Sequence, residues 1–190
     1  MRSIDGTLEL MDIDNNDKKT TIGTFEVALA DLEGAMNERE SFFDVMDTTS
    51  TACDYYGVLF DENDDFKPSV RKAVVGGDYI HSPNLLMLDR LVIYPTHRGN
   101  GYGLLALQAL VQRFRIGMGV VAMKPYPLQY EVKPRDEAKI VERAALQFDT
   151  FKGDKAQATR KLKNYYAKLG FKNLPRTEYM VRDPSKPFGN

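Results

Sequence analysis

The stretch Leu85-Leu86-Met87-Leu88-Asp89-Arg90-Leu91-Val92-Ile93-Tyr94-Pro95-Thr96-His97-Arg98-Gly99-Asn100-Gly101-Tyr102-Gly103 decides how the rest of the chain is read. Its first nine residues are nearly all apolar, the pattern of a central strand covered on both faces. Asp89 and Arg90 interrupt it. A carboxylate in such a strand must reach the strand's end or face a cleft, because burying it without a partner is costly. Strand alternation puts Asp89 and Arg90 on opposite faces. Beyond Pro95 come Gly99, Gly101 and Gly103, and then Leu104, Leu107, Val111 and Phe114 recur with helical spacing. A buried strand therefore runs through a glycine-rich turn into a helix with one apolar stripe. Such a turn presents backbone N–H groups at the positive end of the helix dipole and lets a pyrophosphate approach without meeting a Cβ. Arg98 adds a cation at its rim.

Upstream, Leu8, Leu10 and Ile13, a polar turn Asn15-Asn16-Asp17-Lys18-Lys19, and then Ile22, Phe25, Val27 and Leu29 predict a β-hairpin. Asp12, Asp14 and Asn16 imitate the opening of a calcium loop, as do Asp61, Asn63 and Asp65. In the first, Asp17 replaces the turn glycine, and Gly23 and Lys72 stand where each loop needs a bidentate Glu, so calcium binding is not expected. Residues 38–60 read as one or two helices, and Val70, Ala73, Val74 and Val75, closed by Gly76-Gly77, read as sheet. Downstream the pattern gives a short strand at Val120–Met123 and a connector with Pro125, Pro127 and Pro134. It then gives a helix with Ala138, Val141, Ala145 and Phe148 on one face, and a last helix over about 156–169 that buries Ala158, Leu162, Tyr165 and Leu169. Phe171 and Tyr179–Val181 return as strands.

A chain of 190 residues suits a single domain, 1–190, with the connector and extra helix at about 124–155 as its one addition. With 43% hydrophobic and 28% charged residues it can bury a core. Cys53 is alone and the two histidines, His81 and His97, lack metal-site spacing, so neither a disulfide nor a metal is expected, and a reducing compartment fits. No apolar run approaches the roughly 18 residues a membrane span needs, and the polar start lacks a signal-peptide layout. The expectation is a cytoplasmic protein without a membrane partner. Residues 1–66 hold 17 Asp/Glu against four Lys/Arg, and the remainder 10 against 22. Two complementary packing partners, or two ligands of opposite charge, both account for that asymmetry. A pI near 6.2 lacks the uniformly basic footprint of a nucleic-acid binder.

Elimination narrows the phosphate ligand. A Walker A loop ends in Gly-Lys-Ser/Thr, and Gly103-Leu104-Leu105 has neither the lysine nor the hydroxyl. A dinucleotide fingerprint forced onto Gly101, Gly103 and Ala106 calls for an acidic residue about 20 positions on, where Val121–Tyr126 contain none. The segment Leu91 to Gly103 instead resembles the acetyl-CoA motif of the GNAT N-acetyltransferase superfamily, in which a strand ending near Pro leads into Arg/Gln-x-x-Gly-x-Gly/Ala. Tyr166-Ala167-Lys168-Leu169-Gly170-Phe171 resembles that family's second signature, and the two occur in the family's order. Where the family usually has Asn seven residues before that tyrosine, this chain has Thr159.

The resemblance implies an α/β fold with a mixed, mostly antiparallel sheet splayed at its centre, flanked by helices. It implies acetyl-CoA as co-substrate, transfer to a primary amine of a small molecule or peptide within a ternary complex, and no metal. The backbone of Leu91, Val92 and Ile93 would pair with pantetheine. Arg98 and the amides of Gly99, Asn100, Gly101, Tyr102, Gly103 and Leu104 would hold the pyrophosphate. Tyr166 is similar in place to the family's general acid, and Asp89 to its base or amine anchor. Tyr165 is expected in the core. Gln129, Tyr130 and Glu131, on the stiff connector, are substrate-contact candidates. A CoA-binding sensor without catalysis and a tRNA-acetylating toxin are the rival readings, and assembly as a homodimer is left open.

Overall fold

A computed structural model describes residues 1–12 and 18–188. Strands β1 (Arg2–Asp12) and β2 (Lys18–Ala30) form the expected antiparallel hairpin. Residues 13–17, which include Asn15, Asn16 and Asp17 of the predicted turn and Asp14 and Asn16 of the first calcium-like loop, lie outside the described residues.

Four helices follow, α1 (Leu32–Glu38), α2 (Phe42–Met46), α3 (Ser50–Leu59) and α4 (Pro68–Val75). The first three start at side-chain caps, with Asp31, Ser41 and Thr49 accepting from Gly34, Phe43 and Ala52 N–H. Residues 70–75 are helix, where the sequence pattern suggested sheet. Pro68 presets a helical first turn, Val70 and Val74 bury four residues apart on one side, and Gly76, with φ 81°, closes the end.

Strand β3 (Leu85–Ile93), helix α5 (Tyr102–Phe114), strand β4 (Val120–Met123), helices α6 (Glu137–Ala145) and α7 (Lys155–Ala167), and short strands β5 (Lys172–Asn173) and β6 (Met180–Arg182) complete the fold. The six-stranded sheet has the order β1-β2-β3-β4-β6-β5, antiparallel throughout except between β3 and β4. It is a mixed, mostly antiparallel sheet flanked by helices.

Two apolar layers sandwich it. On one face Leu85, Met87, Val120, Ala122 and Val181 pack beneath α1–α4, through residues such as Leu32, Met46, Tyr55 and Val70. On the other, Leu86, Leu88, Val121, Met123 and Met180 meet Leu107, Leu110 and Val111 of α5, with Leu169 and Tyr166 from the end of α7. The near-continuous apolar run of β3 is explained by this double cover. The stripe of α6 is not covered to the same degree: Val141 is 70% exposed, and Phe148, just beyond the helix, is the buried anchor of that segment.

Asn84, buried ahead of β3, ties the layers. Its Oδ1 accepts from Leu32 and Glu33 N–H, both at 2.8 Å, at the start of α1, and its Nδ2 donates to Gly117 O at 3.2 Å. Asn84→Ala strands those two N–H groups out of water. The expected loss is about 2 kcal/mol of unfolding free energy, read from denaturant midpoints.

Candidate functional site

The parallel pairing of β3 with β4 lasts four rungs, from Leu85–Val120 to Leu88–Met123. There β4 ends. Lys124 follows and then buried Pro125, which has no N–H to continue a ladder. Strand β3 continues to Ile93 because β2 still pairs with it, through Gly23–Ile93. Residues Asp89 to Ile93 thus have β2 along one edge and no β4 residue along the other, so the sheet opens into a wedge whose apex is Leu88–Met123.

A β-bulge sits at that apex. Val27 pairs with Leu88 and Glu26 with Arg90, leaving Asp89 as the extra residue. The bulge corrects the alternation expected from the sequence: Leu88 and Leu91, three apart, both pack in the α5 layer, so the two charges between them turn together toward the α1–α4 side. Asp89 is open to solvent, yet the protein mass around it raises its carboxyl above the ordinary value, with the Glu26 charge adding to that rise and a hydrogen bond from Tyr55 opposing it. Arg90 is spoken for by Glu131.

Beyond Ile93 a short 3-10 turn, Pro95–His97, leads into the glycine turn. Gly99 (φ 84°) and Gly101 (φ 78°) adopt the left-handed conformation that glycine tolerates, and nothing stands within 4 Å of where a Cβ would be at either. Among the described residues, no acceptor is hydrogen-bonded to the amides of Gly99, Asn100, Gly101, Tyr102 or Gly103, whereas Leu104 N–H bonds Gly101 O at 3.0 Å. The Asn100 side chain donates to His97 O at 3.5 Å. The turn is an open nest of amides at the start of a 13-residue helix.

The two tyrosines of α7 exchange their expected surroundings. Tyr166 belongs to the α5-side core, where burial first and Tyr165 second push its phenol up to about 12. Tyr165 reaches the glycine turn: a Cβ on Gly103 would stand 2.8 Å from its hydroxyl. Sequence spacing put Tyr165 on the core stripe; the register of α7 turns it onto the start of α5.

The connector crosses the wedge as a strap held by arginines. Glu131 accepts from both Arg90 guanidinium nitrogens, at 2.6 and 3.0 Å, and from Arg143 of α6 at 3.3 Å. Arg143 lies over the Phe148 ring at 5.5 Å. Arg98 lies 5.5 and 5.0 Å over Phe148 and Phe151, and donates to Ile93 O at 2.8 Å and Leu146 O at 2.7 Å. The strap is thus fastened at Arg90 and Arg98, on either side of Leu91–Ile93. Of the predicted substrate contacts, Glu131 is a clamp with both oxygens engaged, Tyr130 donates its hydroxyl to Gly153 O, and Gln129 is half-buried with its carbonyl near Arg143. Arg98 pins the strap and does not stand free at the rim of the turn.

No family model matches the chain, and neither a curated protein nor a solved structure matches it. Among the described residues no group of three His, Cys, Asp or Glu is placed to hold a metal, and no helix is long and apolar enough to cross a membrane. Tyr55 was not singled out by the sequence, because nothing local to α3 marks it; only the fold brings its hydroxyl to Asp89.

Glu131→Ala releases Arg90 and Arg143 together. Limited proteolysis is expected to cut between Val132 and Lys152 several times faster, with global stability lowered by only about 1–2 kcal/mol because the pair is partly solvated.

Proposed function

We propose that the chain is an acetyl-CoA-dependent N-acetyltransferase of GNAT type, acting in a reducing, cytoplasmic setting on the primary amine of a small molecule or peptide. The observation that carries this reading is a strand edge, Asp89 to Ile93, left without a β4 partner and running straight into a turn of unbonded amides at the start of α5. An extended amide-bearing arm can add to such an edge as a strand would, and a diphosphate suits the turn. The sequence resemblance over Leu91–Gly103 and Tyr166–Phe171 supports the same assignment. Coenzyme A would supply the activated acyl group as a thioester.

The residues then divide the proton work. An amine attacks only when neutral, and Asp89, on the α1–α4 side of the wedge, accepts the proton that the nitrogen loses as the C–N bond forms. Tyr166, on the α5 side, remains a phenol at neutral pH, with its proton held up to about 12, and gives that proton to the sulfur as the C–S bond breaks. In this reading Asp89 would act from the α1–α4 side of the sheet and Tyr166 from the α5 side.

Calorimetry with CoA tests the cofactor half: binding is expected in the protein and its loss in Gly101→Glu, and no binding to the protein would end the proposal. Tyr166→Phe is expected to lower turnover roughly 10- to 100-fold with CoA affinity unchanged. Binding without transfer across a panel of amines would instead favour a coenzyme sensor. Because Asp89 works as a carboxylate and its pKa is raised, kcat/KM falls as pH drops through that value, at a pH above the usual Asp figure of about 4. A pH–rate profile whose acidic limb disappears in Asp89→Asn, together with most of the activity, is the expected result.

A further inference from the structure

The free edge of β3 can be read group by group. Val92 C=O faces β2, so closely that a Cβ on Gly23 would stand 2.0 Å from its oxygen, and Tyr94 N–H donates to Ile22 O at 2.8 Å on the same side. Strand alternation therefore turns the N–H and C=O of Leu91 and Ile93 to the opposite edge, where β4 is missing. An extended amide arm pairing there needs those groups. One of them is already in use. Ile93 O accepts from Arg98 Nε at 2.8 Å, and the same guanidinium donates through Nη2 to Leu146 O at 2.7 Å, just past α6. A single planar fork thus spans from the strand edge to the strap, and Leu146 lies a guanidinium's width from Ile93.

Helix α6 itself buries no residue, and Phe148, the anchor that follows it, lies under the Arg98 guanidinium together with Phe151. The strap's other tie to β3 is Arg90 with Glu131. Within itself the strap is braced by Arg143, which reaches Leu128 O at 3.0 Å, and by the Tyr126 hydroxyl on Tyr130 O at 2.7 Å. With Arg98 released, the braces and the Glu131 tie remain and the α6 end can lift. We propose that Arg98 is a latch: it holds the strap shut across the β3 edge in the free protein, and a diphosphate seated in the glycine turn draws its guanidinium off the two carbonyls and so opens that edge. Arg98 adjoins Gly99, the first glycine of the turn, and among the described residues no carboxylate pairs with it. Partial burial holds its pKa below the ordinary value, so two neutral carbonyls serve its charge poorly, and a charge-assisted bond to a phosphate oxygen is the stronger alternative. The ligand moves the strap through that difference in affinity between the two states. That the diphosphate belongs to a coenzyme rests on the acetyltransferase reading; the latch does not.

The test is amide hydrogen exchange of the full-length protein, followed over residues 132–151 with α5 as the internal reference and inorganic pyrophosphate as the probe. Arg98→Gln removes the fork, and exchange over 132–151 is expected to quicken about 10-fold while α5 keeps its rate. Pyrophosphate is expected to quicken the same segment in the parent protein, to add nothing in Arg98→Gln, and to do nothing in Gly101→Glu, whose side chain fills the turn. A folded Arg98→Gln protein with unchanged strap exchange overturns the proposal. So does pyrophosphate that shifts the NMR signals of the Gly99 to Gly103 amides yet leaves the strap unmoved or slows it. If Arg98→Gln does not fold, Arg98→Lys decides. It keeps the charge without the fork that grips two carbonyls, so the strap should still quicken, and an unmoved rate overturns the latch. A strap freed by the variant in a protein that binds neither pyrophosphate nor CoA sinks the trigger and the coenzyme reading and leaves the latch. CoA binding to a protein whose strap Arg98→Gln does not free sinks the latch alone.

Discussion

The wedge between β3 and β4 is the constraint on which the rest depends. Two parallel strands joined at four rungs would ordinarily stay joined. Here Pro125 removes a donor two residues past the end of β4, while the long hairpin strand β2 keeps pairing with β3 from Arg90 to Ile93. One strand stops and the other does not, so an edge of backbone is left inside a sheet covered on both faces. Unpaired edges are normally blunted or covered because they invite pairing with another chain. This one is crossed by a strap of the chain's own making, and the charges that would be out of place in a buried strand fall where the sheet has opened.

That geometry gives the bulge at Asp89 its meaning. One extra residue in β3 lets Leu88 and Leu91 share the α5 layer while Asp89 and Arg90 share the other side. Arg90 then fastens the strap through Glu131, and Asp89 remains open to solvent at the apex. Without the bulge, strand alternation would turn one of the two charges toward the apolar α5-side core. The same residue that relieves the strand of a buried charge thus supplies the site with a carboxylate.

Much of this was legible in the sequence because it rests on local pattern. The double-covered strand, the glycine turn, the stripe of α5, the hairpin and the return strands near Phe171 and Tyr179 follow from periodicity and punctuation. What escaped had causes that a linear pattern does not carry. Val70 to Val75 is β-branched and short, and only the cap at Gly76 and the shared side of Val70 and Val74 mark it as helix. The bulge is a property of the pairing of two distant strands. The Glu131 clamp joins residues far apart in the chain, and the exchange of Tyr165 and Tyr166 turns on the register of a half-buried helix whose polar faces give little phase information.

The uneven charge of the chain gains a spatial sense from the layers. Among the described residues no ion pair joins the acidic first third to the basic remainder: Glu9 pairs with Lys19 within the former, and the other pairs lie wholly within the latter. Mutual neutralisation is therefore not what the asymmetry serves at contact range. Residues 31–66, which build α1–α3 on the Asp89 side of the sheet, hold 11 Asp/Glu against Arg39 alone, whereas Lys155 to Lys168, along α7 on the glycine-turn side, carries five basic residues and no acidic one. A uniform field would draw one charged reactant and repel the other. A field that changes sign across the sheet can draw a cationic amine to one side of the wedge and an anionic coenzyme to the other. In the acetyltransferase reading, the two reactants would then arrive from opposite faces at the one place where the sheet is open.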